Sequence, residues 1–158
     1  MRVALPLAVA ASLLALPACA GDDDPVPEPP VTGVVTVTMT EEGCGYAGVE
    51  SLPDDSLTLE TVKQIDGEGS FQLLRLEPHV TYADLESHIE REHDRRAKGQ
   101  RTVGYESLAS VEASTELVDA DNQAVISPQP DDLQPGTHAV LCIQPSRLDL
   151  AGPLVLTP

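Results

Sequence analysis

Aromatic side chains are almost missing from this chain: one Phe, three Tyr and no Trp among 158 residues. Any core must therefore be built from Leu, Val and Ala. Basic residues are scarce as well, 9 Lys and Arg against 26 Asp and Glu, for a formal net charge of −17. A surface this acidic repels phosphate backbones and anionic headgroups, which argues against nucleic acid as a partner and against charge as the route to a membrane. Signatures of catalysis are absent too. There is no Gly-x-Ser-x-Gly elbow, no glycine-rich phosphate loop and no nucleophile recognisable beside a base, so neither an enzyme nor a cofactor is expected. The one long apolar run, Val3 to Leu16, is too short to persist as a membrane-spanning helix.

What is present begins with that run. It follows Arg2 and leads into Leu16-Pro17-Ala18-Cys19, the layout of a targeting segment that is removed before folding. The four residues resemble a bacterial lipobox, with a small residue before Cys19 and an acidic stretch directly after it. The resemblance implies that residues 1–18 are cleaved and that Cys19 becomes the lipid-modified first residue. An ordinary signal peptide with a chance cysteine is the alternative. Loss of residues 1–18 removes only one charge, Arg2, and leaves 8 Lys and Arg against 26 Asp and Glu. Attachment then comes from lipid, and more than one acyl chain makes it stable. The expected location is outside the cytoplasm, anchored to the bacterial membrane and facing outward. With Cys19 acylated, Cys44 and Cys142 remain, and an even pair in an oxidising setting suggests one disulfide.

Residues 19–33 contain Asp22-Asp23-Asp24 and then Pro25, Pro27, Pro29 and Pro30, a composition that builds no core and reads as an extended tether. About ten such residues at ~3.1 Å each would hold a domain roughly 30 Å from its anchor. Residues 34–158 form that domain. Val35, Val37 and Met39 alternate with threonines in a first strand, Glu41 to Gly48 reads as a loop, and Pro53-Asp54-Asp55 as a turn. Leu57 to Ile65 and Phe71 to Leu76 are strands joined by a hairpin at Gly67 and Gly69, so this half reads as a meander. A helix over Thr81 to Lys98 follows, with a capping box from Thr81 to Asp84, a face of Tyr82, Leu85, His88 and Ile89, and bases in its last turn. Its cluster of Arg91, Arg95, Arg96, Lys98 and Arg101 is read as a solvated helix end, with a docking patch for an anionic partner as the sharper alternative. Runs at Val103 to Leu108, Val111 to Val118 and Ala124 to Ser127 come next. The central strand, Thr137 to Gln144, opens at the Pro135-Gly136 turn, and Leu154 to Thr157 closes the chain. Seven or eight strands and one helix point to an all-β sandwich.

The residues Leu133-x-Pro135-Gly136-Thr137-His138-x-x-x-Cys142, ending in Ala151-Gly152-Pro153-Leu154-Val155-Leu156, are similar to the closing strands of cupredoxins, especially the small secreted cupredoxin-like domains of bacteria. The resemblance extends over Leu57 to Leu76 and to the inserted helix. It implies a Greek-key β-sandwich and a metal pole. A blue-copper site takes two imidazoles, a thiolate and a weak axial thioether. By register the first histidine falls near Ser70, the second near Arg147 and the methionine near Gly152, so Cys142 alone matches a family ligand. Ser70, Cys142 and Arg147 therefore stand as vestigial ligand positions, and no metal is expected.

The family arrangement also places the loop after the first strand at the pole where the Cys142 strand ends. It thus implies a Cys44–Cys142 disulfide; a free Cys142 thiolate able to take metal is the alternative. His138 and Cys142 stand roughly 13 Å apart on one strand and cannot share an ion. A ring at position 138 is expected to tie the corner to nearby backbone. His79 is read as solvated, and His88 with Glu92, four apart on the helix, as surface polarity with weak cation binding as the alternative. His93, five residues from His88, points elsewhere. A weak calcium site at Asp54-Asp55 or Asp131-Asp132 is a remote option. The resulting expectation is a lipid-anchored envelope protein, a binding or structural module with an unknown protein or small-molecule partner. The competing expectation is a copper-binding or electron-transfer protein.

Overall fold

The computed structural model describes residues 33–117, 123–126 and 133–158. The leader, Cys19, the tether before Gly33 and the Asp131-Asp132 turn lie outside the described residues. In chain order the strands are β1 (Gly33–Thr40), β2 (Gly43–Ala47), β3 (Ser51–Pro53), β4 (Leu57–Lys63), β5 (Gly69–Leu76), β6 (Ala109–Leu117), β7 (Gln123–Ile126), β8 (Gly136–Ile143) and β9 (Leu148–Thr157). The helix α1 (Tyr82–Ala97) lies between β5 and β6. One sheet has the order β2-β1-β4-β7 and the other β3-β9-β8-β5-β6. This is a two-sheet β-sandwich with one inserted helix, the fold class expected from the sequence.

Alternation builds the inner core. Val35, Val37 and Met39 of β1 are fully buried while the threonines between them are half-buried, and Leu57 and Leu59 repeat the pattern on β4. From the opposite sheet, Phe71, Leu73, Val140, Cys142, Leu154 and Leu156 complete this cluster. The five-stranded sheet is covered on its outer face as well. There Leu74, Leu76, Ala139 and Leu141 pack against Leu85 and Ile89 of α1. Strand β8 is therefore buried on both faces, which is why its sequence is almost continuously apolar and why it sits centrally, as expected.

The helix forms where the sequence placed it. Thr81 Oγ1 accepts from the Asp84 amide at 3.2 Å, and Asp84 Oδ2 accepts from the Thr81 amide at 3.0 Å, the reciprocal capping box. The Thr81 hydroxyl, and then its amide, hold the Asp84 carboxyl below the usual range.

Three features of the sequence reading change. The first half is not a meander: β1 pairs in parallel with β4, and β4 and β5 lie in opposite sheets, so the Gly67–Gly69 turn crosses between layers. Alternation reveals which side chains face inward but not which strand lies alongside. Second, Glu41 to Gly48 is not all loop, because Gly43–Ala47 pairs antiparallel with β1 as an edge strand. The glycines flanking Cys44 weaken the strand signal, and the ladder to β1 overrides it. Third, Val103 to Leu108 forms no strand, and Val103 is 69% exposed.

Candidate functional site

The pole where β1, β5 and β8 converge carries the chemistry. Cys142 is the last inward-facing residue of β8 and is wholly buried, whereas Cys44 on the edge strand β2 stands opposite Met39 and is half-buried. The two cysteines form a disulfide with Cα atoms 6.1 Å apart and a sequence separation of 98. It fastens the edge of one sheet to the centre of the other, so the Cys142 sulfur is not a free thiolate.

The positions read as former ligands do not converge on that sulfur. Phe71 and Leu73 point into the inner core with Cys142, and the two-residue period of β5 turns Ser70, the residue before Phe71, to the outer face. Gly69 is the residue on the inner side, and a Cβ there would lie 2.8 Å from Met39 Sδ. A slip of one residue in register exchanges the two faces of a strand, which separates the sequence assignment of Ser70 from its actual place. Arg147 does reach the pole. Its Nε donates to Asp149 Oδ2 at 2.5 Å, and its Nη2 lies 3.3 Å from where a Cβ on Gly43 would sit. That hydrogen bond to Asp149, outweighing the cost of burial, raises the guanidinium pKa further. Gly152 lies elsewhere, inside β9 against Tyr82 and Ala139, with φ at +135°, a backbone conformation that would strain any side chain there.

A basic residue that sequence reading passed over sits inside the pole. Lys63 is 3% exposed at the end of β4 and donates from Nζ to Gly67 O at 2.5 Å. The signal was available, since Leu57, Leu59, Thr61 and Lys63 all hold inward register. Gln144 is also buried. Its Nε2 donates to Thr40 O at 2.9 Å, and its amide and Arg147 O close the β8–β9 turn at 2.9 Å.

The histidines are dispersed. His138 is fully buried near the opposite end of β8, where Nδ1 donates to Gly136 O at 3.0 Å, the backbone tie that was expected. Its Nε2 also lies 2.8 Å from Glu112 Oε2, and Arg75 Nε lies 2.8 Å from Glu112 Oε1. Glu112 is the extra residue where the β5–β6 register shifts between Leu73 and Leu74, and that bulge aims it at His138. His88 donates from Nε2 to Gly104 O at 2.6 Å, and His93 Nδ1 accepts from the Leu148 amide at 3.5 Å. His79 is exposed.

Glu92, read as surface polarity, is only 3% exposed and holds the segment after α1. It accepts from the Val103 amide at 2.6 Å and from Arg95 Nη1 at 2.7 Å. Burial opposes its charge, but the Val103 amide and the Arg95 guanidinium outweigh it and hold the carboxyl below the usual range. Among the described residues no three His, Cys, Asp or Glu side chains assemble into a set able to hold a metal ion.

On the outer side of this pole lies a cleft of about 320 Å³, with Glu68, Ser70, Arg96, Glu116, Ile143, Gln144 and Pro145 in its lining. Arg96 Nη1 donates to Gln144 O at 3.0 Å and fixes the end of α1 against the β8–β9 turn.

No protein-family model matches the chain, and no curated protein matches it. Two solved structures are similar in the course of their backbone. One is a sodium-dithionite-reduced auracyanin from the photosynthetic bacterium Roseiflexus castenholzii, 11% identical, with 80% of this chain and 98% of that one covered and a TM-score of 0.41. The other is an auracyanin B, 18% identical, with 84% of this chain and 94% of that one covered and a TM-score of 0.36.

Proposed function

We propose that this protein is a lipid-anchored component of the bacterial cell envelope whose cupredoxin-like domain works without copper, as a binding or structural module. One observation carries the reading: the sulfur that a copper site would need as thiolate is bonded to Cys44. The surroundings support it. Lys63 puts positive charge at the pole, which opposes a cation, and Arg147 is committed to Asp149. Gly69, the inward position on β5, has no side chain to offer.

Copper(II) titration of the purified, unreduced protein tests the proposal. The expected result is no intense visible band and no stoichiometric binding. Tight binding with such a band would replace this reading with the metal-binding or electron-transfer alternative. The anchor is tested separately: labelled palmitate is expected to enter the wild-type chain and not Cys19→Ala. Labelling that survives the substitution would sink the lipoprotein reading, and with it the outward-facing attachment.

A further inference from the structure

The outer face of the five-stranded sheet has a gap at the disulfide pole. Ser70 on β5 is paired with Glu116 on β6 and with Ile143 on β8, so the three stand in one cross-strand row. A short side chain between two long ones leaves a trough, which Arg96 from the end of α1 and Pro145 wall in. The charge in the trough is uneven. Arg96 is already bonded to Gln144 O, whereas Glu68 and Glu116 are exposed and join no ion pair among the described residues. Gln144, 7% exposed, spends Nε2 on Thr40 O and leaves its Oε1 as a further acceptor at the trough wall.

We propose that this cleft receives a Lys or Arg side chain from a basic partner protein, its cationic head between the carboxylates of Glu68 and Glu116 and its aliphatic stem on Ile143 and Pro145. The inference rests on the binding-module reading and gives its partner a chemistry. The two carboxylates of Glu68 and Glu116 outnumber the single Arg96 guanidinium at the trough, and a chain of net charge −17 draws basic partners in and turns acidic ones away. The site also faces the free end of the domain. Gly33, where the tether joins, lies at the opposite end of β1, seven residues and about 23 Å from Thr40 at ~3.3 Å per residue.

The test is calorimetric titration of the full-length chain in detergent with hexalysine at low salt. Binding is expected, weakening as salt rises. E68Q/E116Q should weaken it by about tenfold, and S70W, which fills the trough, should do the same while the fold, checked by melting, is kept. D54N/D55N removes equal charge beside Ser56, at the Gly33 end of the sandwich, and should change binding by less than about twofold. Equal weakening by both charge variants would reveal attraction to net charge alone and overturn the site. Absent wild-type binding, or tighter binding of hexaglutamate, would overturn it as well. None of these outcomes touches the copper or palmitate tests, so the two proposals fail separately.

Discussion

At the scale of single residues, burial decides function more often than residue type does. Glu92 sits among exposed charged residues in the sequence, yet it is the carboxylate that fixes the chain leaving α1. Hydrogen bonds to a charged group each contribute about 1.5–3 kcal/mol, so Glu92→Gln is expected to cost roughly 2 kcal/mol in urea unfolding. The pH dependence has a definite sign. Because the folded carboxyl titrates below its ordinary value of 4.5, its contribution is complete above that pH and disappears as pH falls through the lowered value. The stability gap between wild type and Glu92→Gln should therefore close on acidification below pH 4.5, and a gap constant with pH would contradict the charge-based role. Gly69 makes the complementary point. A methyl group there meets the buried Met39 sulfur at 2.8 Å, so Gly69→Ala should destabilise by about 1–3 kcal/mol through overpacking, read as a lower urea midpoint.

At the scale of elements, local signals were legible and pairings were not. The capping box at Thr81 and the Leu85, Ile89 face determine α1 almost to the residue, because helix signals are local in sequence. Thr81→Ala should remove about 1 kcal/mol, measurable as a lowered melting temperature, with the far-UV spectrum retained at low temperature. Strand β8 was equally plain from its Pro135-Gly136 start and apolar run. The parallel β1–β4 pair was hidden, since the hydrogen bonds joining Val35 to the level of Leu59 leave no mark in either sequence. Ser70 was a different case, since the alternation set by Phe71 and Leu73 already gives Gly69 the inward place. Lys63 and Glu112 were missed for different causes: the first breaks an apolar pattern that the eye completes, and the second owes its direction to a bulge.

At the scale of the whole molecule, the fold must be held together with only four aromatic rings, one Phe and three Tyr, among 158 residues. The disulfide supplies part of what is missing. It joins the edge strand β2 of one layer to the central strand β8 of the other, so it restrains sliding of the sheets as well as the ends of a 98-residue separation. Closing a loop of that length removes denatured-chain entropy equivalent to about 4.7 kcal/mol at most. Against a typical domain stability of about 5–15 kcal/mol, that is a large share. The double substitution Cys44→Ala/Cys142→Ala, which leaves neither thiol to react, is expected to lower the unfolding free energy by about 2–4 kcal/mol. Native far-UV dichroism should survive, because Leu, Val and Phe side chains make up most of the inner cluster around Cys142, and the outer cluster contains neither cysteine. If the midpoint of urea unfolding did not move, the two sheets would be held by packing alone, and the disulfide would have to be explained by something other than stability.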